Sequence, residues 1–343
     1  MGNTVAPGST KSLVAIKAVK GIEVDGGAVK ITIELPEADR GHGASITEKL
    51  KEALGAIPGV ERLDIVLMWG APPPAAPAVK KNLLPGVEHV LVVGSGKGGV
   101  GKSTVAANLA CALAARGHRV GLMDADLCGP SIGMMFGVGD GPTMAADGRV
   151  LPVEKHGLKL MSMGFLIDDD KPVIWRGPMM NRALEQFMEE VGWGGLDLLL
   201  IDLPPGTGDV QLSICNLANV GAAVIVSTPQ DVALLDAKKA VGMFRAVEVP
   251  VLGIIENMSG FVCPHCAQET RIFGRGGARS AAEALGLPFL GAIPIELSTR
   301  EAGDAGSPIV AVEPDGPQAG IFGSIAQKIE SALSLPRGGG GRS

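Results

Sequence analysis

The hydrophobic pattern divides the chain into parts that differ in the spacing of their apolar residues. Residues 28–35 (AVKITIEL) alternate apolar and polar side chains, which is the period of a strand with one buried face. A capping-box pattern at residues 45–48 (SITE) then precedes apolar residues at helical spacing, and residues 63–69 form a second strand candidate. This strand-helix-strand unit predicts a small α+β accessory domain over residues 1–69.

A different texture begins at Val90, where short apolar runs alternate with helical segments: HVLVVG, RVGLMD, LDLLLID, AAVIVST and VLGIIEN. Runs that are apolar on both faces are typical of strands in a buried parallel sheet. The fold class predicted for residues 86–335 is therefore α/β, a mostly parallel sheet with helices on both faces. Residues 70–85 contain five prolines and are expected to be a semi-rigid linker, and residues 336–343 a flexible tail.

Composition narrows the class of protein. The chain has 343 residues, 46% of them apolar, and its net charge of −6 argues against a protein that coats nucleic acid by neutralising phosphates. Its cysteines are too few and too unevenly placed for a secreted disulfide framework, and the sequence shows neither an 18-residue apolar run nor a secretory signal. We therefore expect a soluble intracellular protein. The cysteines are Cys111, Cys128, Cys215, Cys263 and Cys266.

A glycine-rich stretch, GSGKGGVGKST at residues 94–104, stands between the first buried run and a helix. It satisfies G-x-x-x-x-G-K-[ST], the pattern of a loop whose backbone N–H groups wrap the phosphates of a nucleotide. Lys102 is expected to reach the β and γ phosphates of ATP, and the Ser103 hydroxyl to bind Mg²⁺. A plain glycine turn is the alternative, but it rarely supplies Lys-Ser at this offset. The residues expected to contact nucleotide are Gly96, Lys97, Gly98, Gly99, Val100, Gly101, Lys102, Ser103 and Thr104.

Three aspartates lie at the ends of predicted strands, where open α/β sheets gather their nucleotide-binding groups. Asp202 suits a carboxylate that holds Mg²⁺ through water, and Asp126 is the candidate to orient or deprotonate the attacking water. For Asp124 and Asp126, helix capping or turn formation is an alternative. Gly206 and Thr207 are candidates to present a backbone N–H and a hydroxyl to the γ-phosphate.

Cys263 and Cys266 form a C-P-H-C motif that is compatible with thiol exchange, with buried packing, with zinc, or with half of a metal-cluster site. Thiol exchange needs the first cysteine at a helix N-terminus, but the following AQETRIFGRGG is a poor helix start, so we place the pair in a loop. Zinc takes four ligands, whereas the chain has no second C-x-x-C, and His265 lies too close to both cysteines. Two chains together could supply four thiolates to zinc or to an iron-sulfur cluster, so these residues alone do not decide which of the two is bound.

Longer segments carry a family resemblance over most of residues 86–312: GKGGVGKST, DADLCGPS, MSMGF, WRGP, DLPPGTGDVQLS, STPQD, ENMSGFVCPHC, IFGRGGA and REAGDAGSP. They resemble the Mrp/ApbC-type P-loop ATPases that carry iron-sulfur clusters, with the mitochondrial complex I assembly carrier as a close relative. Residues 12–69 look like the small iron-sulfur assembly module of the MIP18 type that is often fused ahead of this ATPase.

The resemblance implies a role for several residues. Lys97 matches the extra lysine of the deviant Walker A motif of MinD, ParA and the nitrogenase iron protein, which crosses a dimer interface to the partner's phosphates; a solvated loop lysine is the alternative. Asn257 matches the position that reads the adenine edge. Cys263 and Cys266 match the pair that gives two thiolates per chain to a 4Fe-4S cluster bridging a homodimer. Lys97, Lys102, Asp126 and Asp202 are thus the catalytic candidates.

The implied function is a slow ATPase that holds a cluster from a donor and delivers it to apo iron-sulfur proteins. A MinD- or ParA-like positioning or partitioning ATPase, acting on membrane or DNA, is the alternative. The helix predicted at residues 320–333 carries one lysine offset by Glu330, which favours packing over membrane binding. We expect no nucleic-acid or membrane partner, and either a bacterial cytoplasm or a mitochondrial matrix as location.

The sequence also departs from the family pattern. Cys128 stands where the family usually has tyrosine, and a partly buried thiol is favoured there over a redox sensor. The accessory domain is expected to lack its usual first helix, and it has no cysteine between Leu35 and Ile46 where relatives often carry one.

Overall fold

The computed structural model describes residues 18–36, 41–55, 57–60, 62–70, 83–84, 86–126, 129–166, 177–266 and 268–335. The chain divides into two compact units, residues 1–78 and 79–343. Cys128, most of the proline-rich segment, the expected tail and the start of the accessory domain lie outside the described residues. Leu83 and Leu84 are described, and both are buried in the core of the larger unit although the sequence assigns them to the linker.

The described residues of the smaller unit form a three-stranded sheet with one helix packed on it. Its elements are β1 (Val19–Asp25), β2 (Ala28–Pro36), α1 (Gly43–Gly55) and β3 (Arg62–Gly70). Strand β2 pairs antiparallel with β1 and parallel with β3, so the predicted strand-helix-strand unit is confirmed. Alternate residues of β2 are buried against apolar residues of α1, as the pattern predicts. The strand contributes Ile31, Ile33 and Leu35, and the helix contributes Ile46, Leu50 and Leu54.

Two local details of this unit differ from the sequence prediction. The helix begins at Gly43, before Ser45, and the Thr47 hydroxyl donates to the Gly43 carbonyl at 2.9 Å, so the predicted capping box is wrong. A threonine hydroxyl that donates to the carbonyl four residues earlier lies inside a helical turn and not at the cap of the helix. Strand β1 was not predicted, because Gly21 interrupts its alternation and the pairing register shifts beside it.

The larger unit contains a mostly parallel sheet with helices on both sides. Its strands are β4 (Val87–Gly94), β5 (Val120–Asp124), β6 (Thr143–Met144), β7 (Val150–Leu151), β8 (Val153–Lys155), β9 (Leu158–Ser162), β10 (Leu196–Asp202), β11 (Ala222–Ser227), β12 (Val251–Val262), β13 (Glu269–Thr270) and β14 (Phe289–Ile295). Its helices are α2 (Lys102–Ala115), α3 (Ile132–Met135), α4 (Gly177–Glu190), α5 (Asp209–Leu217), α6 (Asp231–Ala246), α7 (Gly277–Leu285), α8 (Leu297–Asp304), α9 (Ile309–Val312) and α10 (Pro317–Leu333).

Within the described ranges the strand order is β13-β12-β11-β4-β10-β5-β9-β8, with β14 also on β12. Only the β8–β9 and β12–β13 pairs of this sheet are antiparallel. Side chains of β4 alternate between two core clusters: Val90 and Val92 pack with residues of α4 to α7, whereas Leu91 and Val93 pack with residues of α2 and α10. The predicted α/β fold with helices on both faces is therefore confirmed.

The C-terminal helix α10 packs into this core. Phe322, Ile325 and Ile329 are buried there, and Lys328 donates to the Leu290 carbonyl at 2.7 Å. The prediction that this helix packs is confirmed. Among the helices of the described residues, none is long and apolar enough to cross a lipid bilayer.

Candidate nucleotide and cysteine sites

The sheet register brings the predicted carboxylates to one edge. Asp202, the last residue of β10, pairs in register with Asp124 on β5 and with Val93 on β4. The glycine-rich loop starts directly after β4 and ends at the first residue of α2. Because parallel strands end at the same edge of a sheet, the two aspartates lie beside this loop.

The loop has the backbone geometry that its glycines permit. Gly99 and Gly101 have φ values of 79° and 76°, the left-handed region that other residues rarely adopt. At Gly96 a Cβ atom would lie 2.1 Å from the backbone carbon of Asp236 on α6, so the close approach of loop and helix requires glycine. The loop lines a cavity of about 240 Å³ that also includes Lys97 and Asp126.

Lys102 and Asp202 form a buried ion pair beneath this cavity. Lys102 Nζ lies 2.6 Å from Asp202 Oδ1 and donates to Ser103 Oγ at 3.3 Å. Burial raises the pKa of Asp202 to about 6, while the charge of Lys102 acts in the opposite direction. Asp202 Oδ2 is buried and makes no hydrogen bond with the described part of the chain. A free carboxylate oxygen beside a hydroxyl is the donor set that a hydrated Mg²⁺ prefers, so these residues fit the expected metal.

Asp124 holds the backbone instead of facing the cavity. Its carboxylate accepts hydrogen bonds from the backbone N–H groups of Asp126 (3.1 Å), Ser131 (2.8 Å) and Ile132 (3.0 Å). Burial raises its pKa despite these bonds. The alternative of capping and turn formation is therefore what the structure shows for Asp124. Asp126 accepts from the Gly129 N–H at 3.2 Å and lines the cavity, where the sequence places the residue that orients water.

Lys97 and the segment after β10 complete the loop's surroundings. Lys97 is half-buried at the cavity and forms no salt bridge with the described residues. The Gly206 N–H donates to the Ser95 carbonyl at 3.0 Å, and Thr207 is exposed. In this structure the Gly206 amide therefore ties the segment to the loop, and its expected contact with the γ-phosphate stays a prediction.

Asn257 joins the loop to a second cavity. Its side-chain amide donates to the Val100 carbonyl at 2.8 Å, and a Cβ at Gly101 would lie only 2.3 Å from the same nitrogen. The second cavity, of about 330 Å³, shares Gly101, Thr104 and Met135 with the first and is walled by Asn257. Residues 293–296 at the end of β14 also line it, and Ile293 pairs in register with Asn257. The sequence reasoning missed this segment, although PFLGAIPIE is another apolar run that ends in a carboxylate. A base-sized space thus adjoins the phosphate loop at Asn257.

The two cysteines lie in a turn between antiparallel strands. Cys263 follows β12, its N–H donates to the Gln268 carbonyl at 3.1 Å, and β13 returns alongside β12. The prediction that the pair lies in a loop, away from a helix N-terminus, is confirmed. Hydrogen bonds from the backbone N–H groups of His265 and Cys266, and from the Cys266 thiol, lower the pKa of Cys263. We call the described residues 262–266 and 268–269 the cysteine hairpin.

The cysteine hairpin offers two sulfur ligands on its surface, since Cys263 is half-buried and Cys266 is exposed. Among the residues that the structure describes, no group of three His, Cys, Asp or Glu side chains is placed to hold a metal ion. Strand β12 connects the hairpin to Asn257, six residues away, so at about 3.3 Å per residue the two lie within about 20 Å along the strand. The strand bends between them, where Met258 has a φ of 58° and the pairing with β14 shifts.

The sheet, the glycine-rich loop opening α2 and the Lys102–Asp202 pair at its base define a P-loop NTPase. The ParA family model, described as NUBPL iron-transfer P-loop NTPase, matches residues 86–330, and a model described as iron-sulfur cluster assembly protein matches residues 3–65. The chain therefore belongs to the iron-sulfur cluster carrier family of P-loop NTPases, fused to an N-terminal assembly domain.

Individual relatives agree with this placement. The chain is 46% identical over 334 residues to the iron-sulfur cluster carrier protein of Aquifex aeolicus, covering 92% of this chain and 91% of the relative. It is 49% identical over 256 residues to the iron-sulfur cluster transfer protein NUBPL of Mus musculus, covering 74% and 80% of the two chains. Among solved structures, a nucleotide-binding protein from Archaeoglobus fulgidus in complex with ADP is similar, with 39% identity, a TM-score of 0.59, and coverage of 68% of this chain and 90% of that one.

Proposed function

We propose that two copies of this chain hold one 4Fe-4S cluster between their cysteine hairpins, and that ATP binding brings the copies together. The observation that carries the proposal is the pair of surface thiols with no third ligand among the described residues. A cubane cluster is held by four thiolates, and two copies supply four. The cluster is the cargo, which the dimer receives from a donor and delivers to apo iron-sulfur proteins.

The choice of an iron-sulfur cluster over zinc is supported by the relatives, which are named as iron-sulfur cluster carriers and transfer proteins. The number of ligands alone fits either an iron-sulfur cluster or zinc, since tetrahedral zinc also takes four thiolates. The hairpin geometry suits a metal-bound thiolate in both cases, because backbone N–H groups already donate to the Cys263 sulfur.

ATP is assigned to the two adjoining cavities. Residues 96–104 would surround its phosphates, and Asn257 would face its base. Ser103 and Asp202 would hold Mg²⁺, which neutralises phosphate charge when bound. Lys102 would pair with the phosphates in place of Asp202, and Asp126 would orient the water that hydrolyses ATP slowly.

Dimer closure is assigned to Lys97. Lys97 lines the phosphate cavity and has no salt-bridge partner in the described part of the chain, so its ammonium is available to phosphates of a second copy. Strand β12 runs from Asn257 to Val262, directly before Cys263, which gives a direct route by which nucleotide binding could reposition the cysteine hairpin.

We assign cluster transfer, and not membrane attachment, as the function of the protein. The apolar face of α10, which would have to bind lipid, is buried in the core at Phe322, Ile325 and Ile329. The relatives are bacterial carriers and NUBPL transfer proteins, so a bacterial cytoplasm or a mitochondrial matrix is the proposed location.

Anaerobic reconstitution of the full chain with iron and sulfide, followed by counts of iron, sulfide and zinc per chain, tests the cargo. We expect about two iron and two sulfide per chain, the share of each copy in one cubane. Cys263→Ser and Cys266→Ser should lose both, while His265→Ala, changed within the same turn, should keep them. Equal iron content in the cysteine variants, or zinc without sulfide, would overturn the proposal.

A further inference from the structure

One buried side chain holds the segment that follows β10 against α5. Gln211, in the first turn of α5, is 3% exposed. Its Nε2 donates to the Pro204 carbonyl at 2.9 Å and to the Pro205 carbonyl at 3.1 Å, and its Oε1 accepts from the Gly208 N–H at 2.9 Å. Both ends of the amide are thus engaged, and all three partners lie in residues 204–208, which we call the diproline segment.

The chemistry of these partners requires an amide at this position. Proline has no backbone N–H, so Pro204 and Pro205 can form backbone hydrogen bonds only through their carbonyls, and these need a donor. The Gly208 N–H needs an acceptor, and the glutamine side chain carries a donor and an acceptor at its end. Gln211 therefore serves as donor and acceptor to one short segment at once.

The diproline segment belongs to the phosphate cavity. It begins two residues after Asp202, the last residue of β10, and Pro205 lines the cavity. A Cβ at Gly98 of the loop would lie 3.9 Å from the Pro205 ring, so the two segments are in contact distance. The Asp202 carboxylate fits Mg²⁺, which bridges β- and γ-phosphate oxygens in P-loop NTPases, so we expect the diproline segment on the γ-phosphate side of the cavity.

The segment is bonded from two directions. The Gly206 N–H donates to the Ser95 carbonyl at 3.0 Å on the side of the loop, and Gln211 holds the segment on the side of α5. Thr207 is exposed and is the candidate to present a hydroxyl to the γ-phosphate. The position of Thr207 therefore depends on both attachments.

We propose that Gln211 is a positioning residue for ATP hydrolysis, which holds the diproline segment, and with it Thr207, at the γ-phosphate. The inference rests on the ATPase activity proposed above. Gln211 makes its hydrogen bonds to the diproline segment and not to residues 96–104, so its loss should disturb the γ-phosphate side and leave the part of the site that binds ADP. A misplacement of about 1 Å can lower a rate about a hundredfold.

A helix cap is the alternative role for the same side chain. Gln211 is the third residue of α5 and accepts the N–H of Gly208, which directly precedes the helix. Glutamate is as usual as glutamine in this capping position, because its carboxylate accepts the same N–H. Gln211→Glu therefore keeps the cap but removes both donors to the prolines, whereas Gln211→Met removes all three hydrogen bonds. The two variants thus distinguish capping from positioning.

Phosphate release from ATP and calorimetry with ADP, both on the full chain with Mg²⁺, test the proposal. We expect kcat to fall about tenfold or more in Gln211→Glu and in Gln211→Met, with KM and the Kd for ADP within about twofold of the wild type. Retained ADP binding also shows that the variants are folded, since a misfolded chain would lose ADP and turnover together.

Gln318→Met is the matched control. Gln318 is also a buried glutamine whose Nε2 donates to a proline carbonyl, that of Pro294, at 3.1 Å, but it does not bond the diproline segment, so kcat should stay at the wild-type value. Wild-type kcat in Gln211→Glu would assign Gln211 to capping alone and overturn the proposal, as would a parallel loss of ADP affinity. A wild-type chain that does not hydrolyse ATP would instead refute the ATPase activity on which the inference rests.

Discussion

Lys102 and Asp202 contact each other at 2.6 Å across the junction of the phosphate loop and the end of β10, with side chains 6% and 0% exposed. A buried ion pair is strongly destabilised when one partner is removed, because the other charge stays in a low-dielectric site. The ion pair therefore positions Lys102, which is expected to bind the phosphates, and Asp202, whose carboxylate fits Mg²⁺.

Removal of Lys102 is expected to affect binding and stability together. Lys102→Ala should abolish ATP binding in calorimetry and lower the free energy of unfolding by about 3–5 kcal/mol, because Asp202 loses its counter-ion. Lys102→Ala/Asp202→Asn should recover much of the stability without recovering ATP binding. If Lys102→Ala bound ATP with wild-type affinity, the assignment of the loop would be wrong.

Gly96 is expected to tolerate no side chain. A Cβ there would meet the backbone of Asp236 at 2.1 Å, so Gly96→Ala should displace the loop from α6 and lower the free energy of unfolding by about 1–3 kcal/mol. Gly98→Ala is the matched variant, because its Cβ would meet nothing closer than Pro205 at 3.9 Å. Equal urea midpoints for the two variants would show that the close contact with α6 does not constrain the loop.

Substitutions of Asp124 and Asp126 are expected to affect different properties, stability in the first case and the rate of hydrolysis in the second. Asp124→Ala deprives three backbone N–H groups of their acceptor and should reduce thermal stability. Asp126→Asn should leave stability and ATP binding near those of the wild type and slow hydrolysis by about a hundredfold or more, the usual contribution of a general base. A phosphate-release assay beside thermal unfolding checks both; an unimpaired rate in Asp126→Asn would remove it from the chemistry.

The stability of the larger unit is expected to depend on pH through Glu330. Hydrogen bonds from Arg116 and His118 lower the pKa of this carboxyl below its ordinary value of 4.5. A lowered pKa in the folded state contributes stability above about pH 4.5, and this contribution is lost as the pH falls through the folded value. Glu330→Gln should therefore be less stable by about 1–3 kcal/mol at pH 7, with the difference shrinking below pH 4.5.

Urea unfolding across pH checks this dependence. Glu301→Gln is the matched control, since the Glu301 carboxylate also bonds an arginine but is 58% exposed, and it should change stability by less than about 1 kcal/mol at all pH values. A constant difference between the wild type and Glu330→Gln from pH 7 to pH 3 would contradict the assigned coupling.

The sequence predicts most of this architecture because its signals are local. The apolar runs and the glycine-rich loop locate the sheet and the loop, since burial and backbone conformation leave a pattern in adjacent residues. Strand β1 was not predicted because Gly21 interrupts its alternation and because its apolar residues Ile22 and Val24 remain 56% and 69% exposed, so that little burial selects a pattern there.

The site was harder to predict where function depends on distant contacts. The sequence placed Asp124 and Asp126 at one strand end, but only the folded loop shows that Asp124 accepts backbone N–H groups while Asp126 lines the cavity. The Gly206 amide likewise has a partner, Ser95, that lies 111 positions earlier in the chain.

Native mass spectrometry of the anaerobically reconstituted full chain tests the central claim most directly, because it counts chains and cluster atoms in one species. We predict a species of two chains with one 4Fe-4S cluster, absent from Cys263→Ser and Cys266→Ser and present in His265→Ala. A cluster on a single chain, or a dimer bridged by zinc without sulfide, would contradict the account.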